Sequence, residues 1–201
     1  MPRKSKKTRL NTNQEENLYD QKNKHQYNII DFDRTRQKQR KINVIPRTLK
    51  QEEYVVSLED ESKYIIMAVG PAGCGKTLLA TQYAIKSLWD GKIDKIVITR
   101  PSLPSEGEDI GFLPGSALEK MMPWVRPILD IFAEYYSPKE IQRLVEQEVV
   151  ELCPIAFIRG RTFKNSFIIV DEAQNLTPLT FKAALTRIGE NSRMVVTGDL
   201  E

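Results

Sequence analysis

The sequence predicts an α/β protein, built as a mostly parallel sheet with helices on both faces. Short apolar runs alternate along the chain with amphipathic segments of helical periodicity. The runs are apolar at nearly every position, which is typical of parallel strands that are buried on both faces. The first run leads through a glycine-rich turn into an amphipathic segment, which is the pattern of a strand–turn–helix unit.

Each predicted element rests on a local pattern. The apolar runs predict strands over residues 63–70, 95–100, 167–174 and 193–199, and an edge strand within residues 149–157. Helical periodicity predicts helices over residues 46–60, 77–91, 138–148 and 177–189. Residues 121–136 are predicted to be helical in parts, because Pro123 and Pro127 are expected to interrupt the helix.

The amino-terminal arm, residues 1–41, differs in composition from the rest of the chain. The formal net charge of the chain is +3, yet the arm alone holds 12 basic and five acidic residues and no glycine. Its polar composition predicts a basic, flexible segment, in which the short run 28–32 is a candidate strand or docking point. One domain over residues 42–201 is predicted to follow.

Composition excludes several classes of protein. The two cysteines, Cys74 and Cys153, lack the spacing of a disulfide framework or a zinc site. The single histidine, His25, lies in a polar segment, which excludes a histidine-based catalytic triad. No apolar run approaches the ~20 residues that span a bilayer, and the amino terminus lacks the apolar core of a signal peptide. We therefore expect a cytoplasmic protein that does not contact a membrane.

Residues 70–77, GPAGCGKT, match the phosphate-binding loop pattern G-x-x-x-x-G-K-[ST]. Glycine lets successive backbone N–H groups turn toward a phosphate, and the helix that follows directs its positive end at the same anion. The pattern predicts that Lys76 reaches the β- and γ-phosphates and that the Thr77 hydroxyl binds Mg²⁺. The nucleotide-binding residues predicted from this loop are Gly70, Pro71, Ala72, Gly73, Cys74, Gly75, Lys76, Thr77 and Leu78.

Acidic residues follow the apolar run at 167–170. Asp171 is predicted to hold Mg²⁺ through its water shell, and Glu172 to polarise the attacking water, which favours hydrolysis over transfer to a metabolite. Thr197 and Asp199 end the next predicted strand and are candidate sensors of the γ-phosphate. The predicted catalytic residues are Lys76, Asp171 and Glu172, and the predicted metal ligands are Thr77 and Asp171.

A set of motifs in order extends beyond the phosphate loop: PRTLKQEEY, GPAGCGKT, TRPSLPSEGEDIGFLPG, EKMMPWVRPILD, ELCPIAFIRGRTF, FIIVDEAQN and LTRIGENSRMVVTGD. This set resembles the PhoH-like ATPases, a phosphate-starvation-inducible P-loop family related to superfamily 1 helicases. The segments GFLPG, RGRT and DEAQN carry more of the resemblance than the phosphate loop does. The resemblance implies a RecA/helicase-like P-loop NTPase core. The family pattern continues past a GD turn, so the carboxyl end of the family domain is expected to be missing here.

The resemblance also implies roles for single residues. Gln51 resembles the glutamine that contacts adenine, and Gln174 resembles the position that couples nucleotide state to nucleic acid. Arg100 falls in the segment that meets a single-stranded backbone, and the loop 102–115 beside it is expected to be a working surface. Arg159, Arg161 and Arg187 are candidates for contacts with nucleic acid or with a neighbouring subunit. Surface arginines that close a turn or a helix end remain the alternative.

Two functions remain open from the sequence. The first is Mg²⁺-dependent ATP binding and hydrolysis coupled to RNA or single-stranded DNA, in a self-associating and ring-like assembly. The second is a nucleotide-dependent nucleic-acid binding module without efficient turnover. A metabolite kinase would leave DEAQN and RGRT unexplained.

Overall fold

The structure is a computed structural model of the 201-residue chain, and it describes residues 42–101 and 117–199, with the backbone alone for 117–122. The predicted flexible arm, the run 28–32 and the loop 102–115 lie outside the described residues. No helix in the described ranges is long and apolar enough to cross a membrane.

Helices and strands alternate over the first five elements of the described residues, and seven further elements follow. In chain order these are α1 (Leu49–Glu59), β1 (Ile65–Val69), α2 (Lys76–Trp89), β2 (Lys95–Thr99), α3 (Ala117–Ala133), α4 (Pro138–Glu146), β3 (Val150–Leu152), a 3-10 turn (Ile155–Phe157), β4 (Ser166–Val170), a second 3-10 turn (Ala173–Asn175), α5 (Pro178–Leu185) and β5 (Arg193–Gly198). Thr48, Ser137 and Thr177 cap α1, α4 and α5 by accepting a hydrogen bond from a backbone N–H of the first turn.

The five strands form one parallel sheet in the order β1–β5–β4–β2–β3. The α/β class and the parallel sheet predicted from the apolar runs are therefore confirmed, and the edge strand within 149–157 is β3. The strand predicted over 167–174 is too long, because β4 ends at Val170. Glu172 then takes a left-handed conformation and leads into the 3-10 turn, so its backbone cannot continue a strand.

Helices cover both faces of the sheet. On one face of the sheet, a buried cluster packs helices α1 to α4 against Ile96, Ile98 and Ile169. On the other face, a second cluster packs α5 and the 3-10 turns against Val97 and Ile168. Successive residues of a strand point to opposite faces, so the fully buried strands β2 and β4 supply both clusters.

The prediction that proline interrupts the helix at 121–136 is wrong, because α3 runs through both prolines. Pro123 and Pro127 are four residues apart, and both are exposed. They therefore lie on one solvent-facing side, where water can bond the carbonyls that lose a backbone N–H partner. The opposite side of α3 buries Val125, Ile128 and Phe132.

Arg193 fixes the end of α1 against the sheet. Its guanidinium donates to the carbonyls of Leu58, Asp60 and Lys63 at 2.6, 2.8 and 3.0 Å. These carbonyls lie at and beyond the carboxyl end of α1, where backbone acceptors have no helical partner. The start of α1 is thereby held beside the glycine-rich loop.

Candidate functional site

A cavity of about 360 Å³ opens at the carboxyl ends of the central strands. Its lining comes from the glycine-rich loop and from Asp171, Glu172, Thr197 and Asp199. Parallel α/β sheets place ligands at this edge, and the volume lies within the range of small-molecule sites.

Two glycines shape the loop before α2. Gly73 and Gly75 have φ of 75° and 87°, a region that residues with a Cβ rarely enter. A Cβ on Gly75 would also lie 3.0 Å from Gln51 Nε2. Glycine is therefore required at Gly75 by its backbone conformation, whereas the flexible Gln51 amide could shift to admit a Cβ.

Lys76 is held inside the loop that it follows. Its ammonium donates to the carbonyls of Gly70 and Pro71 at 2.7 and 2.8 Å and pairs with Asp199 Oδ1 at 2.7 Å. Burial acts to lower the pKa of Lys76, but the hydrogen bond with Asp199 together with the interactions with Cys74 and with the charge of Asp199 raises that pKa overall. The ammonium is therefore charged at neutral pH, and an anion in the cavity would compete with Asp199 for it.

Asp171 is the buried acceptor at the centre of the site. Its Oδ1 accepts hydrogen bonds from the hydroxyls of Thr77 at 2.7 Å and Thr197 at 2.6 Å, and its side chain is only 4% exposed. These hard oxygen donors fit Mg²⁺, which usually takes one or two carboxylates together with phosphate oxygens and water. Among the described residues no three or more His, Cys, Asp or Glu side chains cluster as a group that could hold a metal ion.

Glu172 adopts an uncommon backbone conformation at the edge of the cavity. Its φ of 54° and ψ of 44° lie in the left-handed region, where a side chain costs ~1–2 kcal/mol. The carboxylate contacts Arg100 at 3.4 Å and accepts a hydrogen bond from Gln174 Nε2 at 2.5 Å. Strain at a residue held by such contacts is a common feature of functional sites.

Gln174 connects the two acidic strand ends. Its Nε2 donates to Glu172, while its Oε1 accepts from the backbone N–H of Asp199 at 3.1 Å. A Cβ on Gly198 would lie 3.4 Å from the same Oε1. One amide therefore spans from the second residue after β4 to the first residue after β5.

Gln51 and Tyr54 attach α1 to the phosphate loop. Gln51 Nε2 donates to the Cys74 carbonyl at 3.0 Å, and Gln51 Oε1 accepts from the Arg47 N–H at 2.6 Å. Each end of this amide thus makes one bond within the protein, which leaves a second N–H and a second oxygen lone pair for contact with a base. The Tyr54 hydroxyl donates to the Lys76 carbonyl at 3.4 Å, and burial, followed by the charge of Asp171, raises the pKa of Tyr54. Sequence reasoning missed Tyr54, whose only signal is its position one turn after Gln51.

Arg100 contacts the acidic side chains of the site, and the nucleic-acid role that the resemblance implies for it stays a prediction. Its guanidinium contacts Asp171 at 3.3 Å and donates to the Trp124 carbonyl at 3.1 Å, in addition to its contact with Glu172. Sequence reasoning gave no signal for the Trp124 carbonyl, because a backbone acceptor in α3 leaves no trace in residue type.

The other three candidate arginines make different contacts. Arg161 pairs with Glu151 on β3 and lies over the Phe163 ring. Arg187 donates to the carbonyls of Ala183 and Arg161, and Arg159 is exposed. Their roles in binding nucleic acid or a neighbouring subunit stay predictions.

The chain has clear relatives. The family model of the PhoH-like protein matches residues 43–201. The chain is 42% identical over 154 residues to a PhoH-like protein of Synechocystis sp., covering 77% of this chain and 46% of that protein. It is also 42% identical over 154 residues to a PhoH-like protein of Bacillus subtilis and 41% identical over 159 residues to Protein PhoH of Escherichia coli. The chain thus spans less than half the length of these relatives.

A solved structure shares the fold. The Sulfolobus solfataricus SWI2/SNF2 ATPase core in complex with dsDNA matches with a TM-score of 0.50 at 16% identity. The match covers 79% of this chain and 34% of that chain. It confirms the predicted RecA/helicase-like core as the fold of the described domain.

Proposed function

The chain belongs to the PhoH-like protein family, and on that premise we propose that it binds ATP with Mg²⁺ at the phosphate loop and hydrolyses it. The observation that carries this proposal is the convergence of Lys76, Thr77, Asp171 and Glu172 on one cavity at the carboxyl edge of a parallel sheet. Phosphoryl transfer depends on positioning and on charge stabilisation, and these side chains supply both.

Lys76 and the loop would bind the phosphates. The ammonium would leave Asp199 and the loop carbonyls for the phosphate oxygens, while the loop N–H groups and the start of α2 face the same anion. Gly73 and Gly75 keep that path free of side chains. Gln51 would contact an edge of the base with its second N–H and its second oxygen lone pair.

Thr77 and Asp171 would hold the metal, which would neutralise charge on the β- and γ-phosphates. Thr77 stands at the start of α2 and Asp171 directly after β4, so two rigid elements fix the distance between their oxygens. The Thr197 hydroxyl orients the same carboxylate from β5. This second donor keeps Asp171 in one rotamer.

Glu172 would take the proton of the attacking water. Gln174 donates to one oxygen of this carboxylate and joins it to the backbone of Asp199, which fixes the direction of the carboxylate. Gln174, Thr197 and Asp199 would then respond to the γ-phosphate as a connected group. A catalytic group must lie within hydrogen-bond reach of its proton, and the lining position of Glu172 meets this condition for a water in the cavity.

The test is ATP hydrolysis by the intact chain and by two variants. Lys76→Ala and Glu172→Gln are expected to lower turnover by about 10²-fold or more, as for loss of a charge-stabilising or proton-transfer group. Lys50→Ala and Glu53→Gln are matched controls, because both side chains are exposed on α1 at 86% and 66%. Hydrolysis that survives both site variants would refute the catalytic assignment.

Coupling to RNA or single-stranded DNA is the finer part of the proposal. The family resemblance, the basic arm 1–41 and the exposed Arg159 support it. Affinity for a single strand should fall with salt by ~0.7 in log units for each phosphate contact. Arg159→Gln and deletion of residues 1–41 are each expected to reduce that slope, and an unchanged slope in both would remove these segments from the interface.

A binding module without efficient turnover is the second candidate function. The observation that favours it is the contact of Glu172 with Arg100, which occupies the carboxylate that would act as a base. ATPase assays with and without RNA and single-stranded DNA separate the two. Nucleotide binding without turnover in every condition would select the binding module.

Self-association is part of the same proposal, because one core can close over a nucleotide only with a second core or a neighbouring subunit. Arg187 is the candidate residue for reaching a neighbour's nucleotide. Light scattering with an ATP analogue and Mg²⁺ tests this, and a monomer in every condition would contradict it. The cytoplasmic location stays a prediction from the sequence.

A further inference from the structure

We propose that Arg100 is a built-in counter-ion of the Asp171–Glu172 pair, and that it competes there with the divalent cation. In this view the guanidinium neutralises the two carboxylates before nucleotide binds and gives way when the metal arrives. Arg100 thereby sets how strongly metal and nucleotide depend on each other. This inference rests on the proposed function, since it takes the cavity to be the site of Mg²⁺ and nucleotide.

The contacts of Arg100 carry the first step. The terminal guanidinium nitrogen Nη1 lies 3.3 Å from Asp171 Oδ2, and the second terminal nitrogen, Nη2, lies 3.4 Å from Glu172 Oε1. The remaining oxygens of both carboxylates are occupied as well, by the hydroxyls of Thr77 and Thr197 and by the Gln174 amide. Arg100 therefore occupies the oxygen of Asp171 that the two threonine hydroxyls leave free, and a cation bound at that oxygen would meet its guanidinium.

The charges around the cavity make the second step. Among the described residues that line or contact it, Asp171, Glu172 and Asp199 are acidic, while Lys76 and Arg100 are basic. Lys76 already forms an ion pair with Asp199. Arg100 is thus the cationic partner of the other two carboxylates, and one of these, Asp171, is almost fully buried and costly to leave unpaired.

The position of Arg100 makes the third step. It follows β2 directly, and its side chain is 24% exposed, so the guanidinium has a path to solvent. Its contact distances of 3.3 and 3.4 Å are longer than the 2.7–2.9 Å typical of a strong charge-assisted hydrogen bond. A cation at Asp171 would repel the guanidinium, whereas the anchor that remains, the Trp124 carbonyl, is neutral.

The decisive measurement is the affinity for mant-ADP in Mg²⁺ divided by the affinity for mant-ADP in EDTA, with both affinities read from fluorescence without turnover. The intact chain gives the reference ratio. Arg100→Gln removes the competing charge and is expected to raise the ratio by about fivefold or more, within the range usual for coupled sites. Binding of Mn²⁺ in the presence of ADP, followed by electron paramagnetic resonance, should tighten in parallel.

Two further variants complete the test. Arg100→Lys keeps the charge but not the fork that spans two carboxylates, so its ratio should lie between those of the intact chain and Arg100→Gln. It also keeps the test open if Arg100→Gln fails to fold. Arg143→Gln makes the same charge change at an exposed position on α4 and should leave the ratio unchanged.

The outcomes separate the two proposals. If the intact chain binds no mant-ADP, the proposed function fails. If it binds but Arg100→Gln, or Arg100→Lys in its place, shows an unchanged ratio, the competition is refuted while nucleotide binding stands. A lower ratio, with weaker Mn²⁺ binding, also refutes it and makes Arg100 a ligand of the nucleotide.

Discussion

Replacing Glu172 by glycine is expected to give a more stable protein than replacing it by alanine, which reverses the usual order of these two residues. Both changes remove the carboxylate and its contacts with Arg100 and Gln174. They differ only in the Cβ at a residue with φ of 54°.

The magnitude follows from two opposing effects. A Cβ in the left-handed region costs ~1–2 kcal/mol, which glycine avoids. Glycine loses more backbone entropy on folding, at a cost of ~0.5–1 kcal/mol relative to alanine. With the middle of each range, the difference leaves Glu172→Gly more stable by roughly 0.75 kcal/mol, or a few degrees in Tm for a domain of this size.

Urea unfolding followed by circular dichroism measures the two free energies of unfolding. Glu53 on α1 provides the control, because it is exposed in a helix with ordinary backbone angles. There the glycine variant should be less stable than the alanine variant by ~0.5–1 kcal/mol. If Glu172→Ala is as stable as Glu172→Gly or more so, the residue is not strained and the argument fails.

Three other predictions concern the ion pairs and the thiols. Asp199→Asn frees Lys76, so affinity for mant-ADP should rise by up to about fivefold, as for a pair worth ~1 kcal/mol or less, and equal or weaker binding would contradict this. A thiol reagent should react with one cysteine in the folded protein and with two after unfolding. The reason is that Cys74 is exposed, whereas Cys153 is buried and burial raises its pKa. Two fast-reacting thiols in the folded protein would contradict the burial of Cys153. Glu151→Gln should destabilise the fold by ~1–3 kcal/mol at pH 7, because it removes a carboxylate that Arg161 and Lys95 stabilise. Burial acts to raise the pKa of Glu151, but these two basic partners together have the larger effect and lower it. The stabilisation by the Glu151 carboxylate is present above the ordinary carboxyl pKa and is lost as pH falls through the lowered pKa of Glu151. The free energies of unfolding of the intact chain and of Glu151→Gln should therefore converge in acid. A difference that does not shrink in acid would contradict this role of Glu151.

The elements that sequence predicted best are those whose residue types leave no alternative. The continuous apolar runs at β2, β4 and β5 can be buried on both faces only in a central parallel sheet, and the structure has them there. The end of β4 was missed because apolarity alone does not reveal a left-handed residue two positions later. The course of α3 through Pro123 was missed because the cost of proline depends on which side of the helix faces water.

At the site, local motifs were more informative than distant partners. GPAGCGKT predicted the loop, and Asp171-Glu172 predicted which acidic side chains line the cavity, since each is one continuous stretch. The resemblance implies a nucleic-acid role for Arg100, which stays a prediction, but it gave no sign that the guanidinium contacts Asp171 and Glu172. That contact joins the ends of two strands adjacent in the sheet but 71 residues apart in the chain, and no local pattern encodes it.

The position of β1 has a consequence for the order in which the domain can form. Among the described strands β1 pairs with β5 alone, Ile65 lies opposite Met194, and the Gly70 N–H bonds the Gly198 carbonyl. The strand that leads into the phosphate loop is therefore secured by the last described strand to leave the ribosome. Until then the growing chain carries open edges on β1 and β4, which are the kind of edge that recruits other strands. Pairing across so much sequence predicts slow folding, with the nucleotide cavity among the last features to form.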